Sequence, residues 1–153
     1  MAKEFHPRPG ISFGNFLIKR VVDSLSRELP NLENFATLSP IPGFNQWLSQ
    51  RLTDEPFKLL ESEQSDMLMS TTNMDSPSLA LKYLLGQDKW YKDPVISNVL
   101  REPLLSLCTH YILLEKRAEG TAADSVAHFH LNNGARVEKL NWLADLSVRG
   151  LHQ

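Results

Sequence analysis

Apolar positions along the chain recur in short amphipathic runs, separated by proline, glycine and asparagine breaks. Leu17, Ile18, Val21, Val22, Leu25 and Leu29 share one face at helical spacing, which predicts a helix that Asn15 caps and Pro30 ends. Gly10 and Gly14 bracket a short loop ahead of it. Phe35 to Leu38 reads as a short strand, closed by the turn Ser39-Pro40-Ile41-Pro42-Gly43. The two prolines exclude a helix there and favour extended geometry at Ser39. Phe44, Trp47, Leu48 and Leu52 then mark a short helix.

The pattern weakens from Thr53 to Ser78, where Pro56 to Met69 is expected to be helical and Ser70 to Asp75 a polar loop. Ser76-Pro77 starts the next helix, serine as cap and proline in the first turn, with Leu79, Leu81, Leu84 and Leu85 apolar and Gly86 as the stop. Asp93-Pro94 opens a longer helix to about Arg117, kinked or broken at Pro103. Gly120 to Ala123 reads as a linker. Asp124 caps a short helix that Asn133-Gly134 turns, and Arg136 to Ala144 is a second strand candidate. No internal repeat or heptad series is visible.

Composition narrows the class of protein. A chain of 153 residues with 42% apolar and 22% charged residues suits one soluble globular domain with a single core. A net charge of −2 supplies no basic field for nucleic acid or an anionic membrane. No run approaches the roughly 18 consecutive apolar residues of a membrane span. Met1 to Gly10, polar and interrupted by Pro7 and Pro9, reads as an irregular start rather than a signal or transit peptide. Cys108 is the only cysteine, which excludes an internal disulfide and a cysteine-based metal cage. An intracellular, cytoplasmic setting is expected.

Three segments carry candidate chemistry. Glycines in the loop before the first helix let the backbone approach a bulky ligand, and amides at a helix N-terminus attract phosphate oxygens. Most such loops are simple turns, and neither the dinucleotide fingerprint nor the Walker A pattern is present. Ser39 reads equally as a turn serine. His128 and His130 stand two residues apart beside Asn133-Gly134: on a strand they would share a face, on a helix they diverge. A metal there would need a third ligand from Asp124, Asp145 or His110, and no recognised zinc spacing exists. His130 on an apolar stretch also reads as a packed core histidine. The leucines from Leu100 to Leu114 and the Met67 to Met69 cluster read as core, and Asp145 as a cap or an orienting group.

The stretch from Val126 to Arg136, continued by Leu140 to Asp145, resembles the catalytic segment of malonyl-CoA decarboxylases. Phe35 to Phe44, followed by Trp47-Leu48, and Gly10 to Lys19 resemble two further blocks of that family, in its order and approximate spacing. The resemblance spans roughly Gly10 to Leu151 as a single partial catalytic domain over residues 1–153. It implies a helix-rich α/β (α+β) fold, part of a GNAT-like acyltransferase scaffold with few short strands. It further implies that portions of a complete family member are absent: the helical region and first strands ahead of Gly10, and a tyrosine-bearing segment after Leu151. A homo-oligomer or partner chain would then cover the incomplete sheet.

The resemblance also implies roles. Gly10, Ile11, Ser12, Phe13, Gly14 and Asn15 would hold the pyrophosphate of coenzyme A. Some family members carry an acidic residue where this chain has Ser12, so no carboxylate role transfers to that position. Ser39 and His130 would form the reacting pair, converting malonyl-CoA to acetyl-CoA and CO2 with no organic cofactor or metal. An imidazole can deliver the proton to the thioester enolate, and a serine hydroxyl can relay it or orient the carboxylate. Two other readings fit the same residues: a CoA-binding acyltransferase in which His130 deprotonates an acceptor, and a non-catalytic remnant that only binds.

Overall fold

The computed structural model describes residues 13–54 and 56–151. Seven α-helices and one 3-10 turn appear among the described residues: α1 (Phe13–Glu28), α2 (Phe44–Arg51), α3 (Ser62–Thr72), α4 (Pro77–Leu85), the 3-10 turn Trp90–Lys92, α5 (Pro94–Leu113), α6 (Ser125–Asn132) and α7 (Val148–Leu151). The chain divides into two compact units, Met1–Ser39 and Pro40–Gln153.

In the first unit α1 begins at Phe13, which puts Asn15 inside the first turn and not at the cap. The Leu29 amide closes the last turn on the Leu25 carbonyl at 2.8 Å, and Pro30 follows. The apolar stripe expected of this helix is present, but Phe16, Leu17, Ile18 and Val21 remain exposed, and Arg20 lies over the Phe16 ring at 5.3 Å. Phe35 to Leu38 forms no strand, and Leu38 is 92% exposed. A short apolar run becomes a strand only where a neighbouring strand completes its hydrogen-bond ladder.

The second unit is built around α5. Leu100, Leu104, Leu107 and Tyr111 follow the helical period, so one stripe of α5 is buried against α2, α3 and α4. Leu68 of α3, Ala80 and Leu81 of α4, and Leu100 and Leu107 of α5 are fully buried. Pro103 lies inside this helix without breaking it. It is itself buried between Leu100 and Leu104, so core packing on both sides offsets the roughly 3 kcal/mol cost of an internal proline. The helix ends at Leu113, short of Arg117.

Side-chain caps explain the starts of α3, α5 and α6. Asp93 accepts from the Val95 and Ile96 amides at 2.8 and 3.1 Å, with Pro94 at the first helical position. Ser76 is extended ahead of Pro77. The α3 region departs from expectation. Its helix starts at Ser62, where the Glu61 amide donates to Gln64 Oε1 at 3.4 Å, and it runs on through Ser70, Thr71 and Thr72. Those hydroxyls donate back to the Met67 and Leu68 carbonyls, so residues that read as loop are accommodated within the helix. Asn73, at φ 55°, stops it in the left-handed region.

The second predicted strand, Arg136 to Ala144, is also absent: Leu143 sits at φ 46° and interrupts any extended run. The only bridge among the described residues joins Lys116 and Ala122 in a small hairpin that turns at Gly120, φ 77°. Arg117 donates to the Ala123 carbonyl across it, and the hairpin delivers the chain to Asp124. What read as a linker is therefore a hydrogen-bonded turn. No helix among the described residues is long and apolar enough to cross a membrane.

Candidate functional site

The segment from Val126 to Asn132 folds as α6 because Asp124 caps it. Asp124 Oδ1 accepts from the Val126 and Ala127 amides, each at 2.9 Å. At the other end Gly134 adopts φ 83°, the left-handed geometry that favours glycine. The Ala135 amide then donates to the His130 carbonyl at 3.1 Å, and the Gly134 amide to that of Leu131 at 3.1 Å, a Schellman closure. His130 is thus held in the last turn of a helix fixed at both ends. Its ring is half-buried and meets the Phe129 ring edge-on, with centroids 5.1 Å apart.

His128 faces elsewhere. On a helix, residues two apart diverge, so the shared-face geometry that a metal would need does not arise. His128 Nε2 lies 3.1 Å from Asn132 Nδ2, one turn on, while His128 Nδ1 is buried and finds no partner. Among the described residues no three His, Cys, Asp or Glu side chains converge to hold a metal ion. Asp145 accepts from the Ser147 amide at 2.9 Å and so ties the turn entering α7. The bonds from Ser147 hold its carboxyl below the usual range.

Ser39 is the last residue of the first unit, and His130 lies in the second. Ser39 is exposed, with its Oγ 3.2 Å from Thr37 Oγ1. Of the expected phosphate-binding residues, Gly10, Ile11 and Ser12 lie outside the described residues. Phe13, Gly14 and Asn15 form the first turn of α1 instead of a loop before it. Their amides belong to the group that has no acceptor within a helix.

A buried polar junction of the second unit joins residues that no sequence motif links. Ile41 to Phe44 makes a turn in which the Phe44 amide donates to the Ile41 carbonyl at 3.2 Å. Gly43 there has φ −94°, ψ −7°, a conformation open to any residue. Its lack of a side chain matters for another reason: a Cβ would collide with the Tyr111 hydroxyl of α5. The Gly43 amide donates to Asp124 Oδ2 at 3.3 Å. Asp124 is 2% exposed. Burial, followed by the nearby charge of Asp124, pushes the Tyr111 phenol up from its ordinary value.

An open cleft of about 450 Å³ lies beside this junction, bordered by Pro42, Gln46, Trp47, Gln50 and Ser125. Trp47 stacks between Phe44 and His110, with centroids 5.9 Å from each, and its Nε1 is buried without a partner. Behind it Glu115 accepts from Arg51 at 3.0 Å and lies 3.6 Å from His110 Nε2. Phe44, Trp47 and the Pro-x-Pro-Gly turn were legible as a local block. Tyr111 carried no signal beyond its place on the buried stripe of α5.

The match to known proteins spans nearly the whole chain. Residues 7–153 match the family described as malonyl-CoA decarboxylase C-terminal domain. The mitochondrial malonyl-CoA decarboxylase of Anser anser anser is 41% identical over 146 residues, which is 93% of this chain and 29% of that protein. The Rattus norvegicus enzyme of the same name is 40% identical over 147 residues, 93% of this chain and 30% of its own length. A crystal structure of malonyl-CoA decarboxylase from Rhodopseudomonas palustris superposes with a TM-score of 0.74 at 39% identity, covering 95% of this chain and 30% of that one. The chain belongs to the malonyl-CoA decarboxylase C-terminal domain family. It spans about 30% of the length of these relatives.

Proposed function

We propose that this chain carries the proton-transfer part of a malonyl-CoA decarboxylase on a GNAT-like scaffold, with His130 as the proton donor and Ser39 as its partner. The observation that carries this reading is the family match over residues 7–153, which contains both residues. Cleaving the carboxyl C–C bond of malonyl-CoA releases CO2 and leaves its electron pair in a thioester enolate. A proton delivered to that carbon then gives acetyl-CoA. The thioester itself holds the charge, so the protein needs one acid and a few hydrogen-bond donors. His130 suits the role of acid, because its backbone is pinned by the Schellman closure and its ring is only half-buried. Ser39, exposed and adjacent in sequence to the rigid Pro40-Ile41-Pro42 run, suits relay of the proton or orientation of the carboxylate. The first turn of α1 offers amides for the coenzyme A pyrophosphate, together with the positions of Gly10, Ile11 and Ser12.

The experiment is a mass balance on malonyl-CoA labelled at the free carboxyl carbon. Release of labelled CO2 with matching acetyl-CoA supports decarboxylation. Label retained on an acceptor would indicate acyl transfer, and coenzyme A binding without turnover would indicate a binding remnant. Either result sinks the proposal.

A further inference from the structure

The geometry points to Asp124 as the positioning residue of this site: one carboxylate fixes the turn that follows Ser39 to the start of the helix that carries His130. A helix cap alone needs one carboxylate oxygen, and Oδ1 meets that need at Val126 and Ala127. Oδ2 is not used by the cap. It takes the Gly43 amide, a residue 81 positions earlier in the chain, at 3.3 Å. The Tyr111 hydroxyl of α5 stands against the turn at Gly43. The Pro40–Gly43 turn and α6 therefore share a single buried carboxylate. Gly43 is shaped to this purpose, since a Cβ would strike the Tyr111 hydroxyl and push the turn off the carboxylate. Charge-assisted bonds from backbone amides are short-range and directional, so the carboxylate sets where the Pro40–Gly43 turn meets α6. This inference rests on the proton-donor reading of His130 and adds a residue that touches neither substrate nor reacting atoms.

Asparagine separates the two roles of Asp124. It caps helices about as well as aspartate does, but it has one acceptor oxygen and a two-proton donor in place of the second. With its oxygen on Val126 and Ala127, its NH2 group faces the Gly43 N–H, donor against donor. Asp124→Asn in the full chain should therefore keep α6 while releasing the turn. Amide hydrogen exchange reads this directly. Exchange at Gly43 should accelerate by about 10- to 100-fold, the factor for one lost charge-assisted bond, while Val126 and Ala127 stay protected. In malonyl-CoA turnover kcat should fall by about ten- to a hundred-fold with KM nearly steady, the pattern of a misplaced acid and not of lost binding. Asp124→Ser, which caps α6 but cannot reach Gly43, should behave the same way. Unchanged exchange at Gly43 in the asparagine variant would overturn the clamp. Released exchange with unchanged kcat would overturn its positioning role. A parent chain without His130-dependent turnover would fail the reading above instead, and exchange would then decide the clamp alone.

Discussion

Gly43→Ala gives the most quantitative check on the buried junction. The backbone at Gly43 is φ −94°, ψ −7°, so alanine meets no conformational penalty there and gains about 0.4–1 kcal/mol from a less flexible unfolded chain. The cost is steric. The added methyl would collide with the Tyr111 hydroxyl and stand 3.3 Å from Tyr111 Cζ and 3.5 Å from Asp124 Oδ2. Tyr111 is 5% exposed and packed against Trp47 with centroids 5.2 Å apart, so its ring has little room to retreat. Overpacking of this kind costs about 1–3 kcal/mol, and displacing the Gly43 amide from the Asp124 carboxylate adds about 1.5–3 kcal/mol. The net expectation is a loss of about 2–5 kcal/mol, a large share of the 5–15 kcal/mol typical of a whole domain. Urea unfolding followed by tryptophan fluorescence measures it. The decisive arm is the double variant with Tyr111→Phe, which removes the oxygen that collides. In that background Gly43→Ala should cost less than about 1 kcal/mol, a coupling of at least that size between the two sites. Additive losses, or a stable Gly43→Ala single variant, would refute the close approach.

Two further outcomes follow from other parts of the second unit. Gly134→Ala forces a Cβ into the left-handed region at φ 83° and should cost about 1–2 kcal/mol in thermal unfolding, with α6 fraying first at the turn that holds His130. Burial, aided by the Asp124 charge, pushes the Cys108 thiol from its ordinary 9.0 up to about 12. The folded chain keeps this proton after the unfolded chain has lost it. Its contribution is therefore intact below pH 9.0 and is lost as pH rises towards about 12. Cys108→Ala should remove that part of the alkaline slope in urea titrations, and thiol reagents should label the native parent slowly at about pH 8.

Local signals were legible in the sequence, and distant ones were not. Asp93-Pro94 and Asp124 marked their helices because a cap and the residues it serves are neighbours in the chain, and Pro77 marked the first turn of its own although Ser76 makes no side-chain cap bond. The buried stripe of α5 was visible because Leu100, Leu104, Leu107 and Tyr111 repeat at the helical period. Strands failed as predictions at Phe35 to Leu38 and Arg136 to Ala144 because a short apolar run can favour extended backbone, while a ladder requires a partner. The end of α3 was hidden because Ser70, Thr71 and Thr72 look like loop residues until their hydroxyls are seen bonding carbonyls one turn back. The bond from Gly43 to Asp124 could not be read at all, since nothing local in either residue points to the other. His128 and His130 drew attention by residue type, and only the helical placement separates them.

The most direct test of His130 as the proton donor compares His130→Asn with His128→Asn in malonyl-CoA decarboxylation by the full chain. Asparagine retains hydrogen bonding but cannot deliver a proton near neutral pH. General acid catalysis is worth about 10²–10⁴-fold, so His130→Asn should lower kcat by that order while thioester binding persists. His128→Asn, which alters a ring paired with Asn132 inside α6, should leave kcat nearly unchanged. An essential His128, or equal losses at both positions with activity that follows added zinc, would contradict the assignment of His130 as the proton donor.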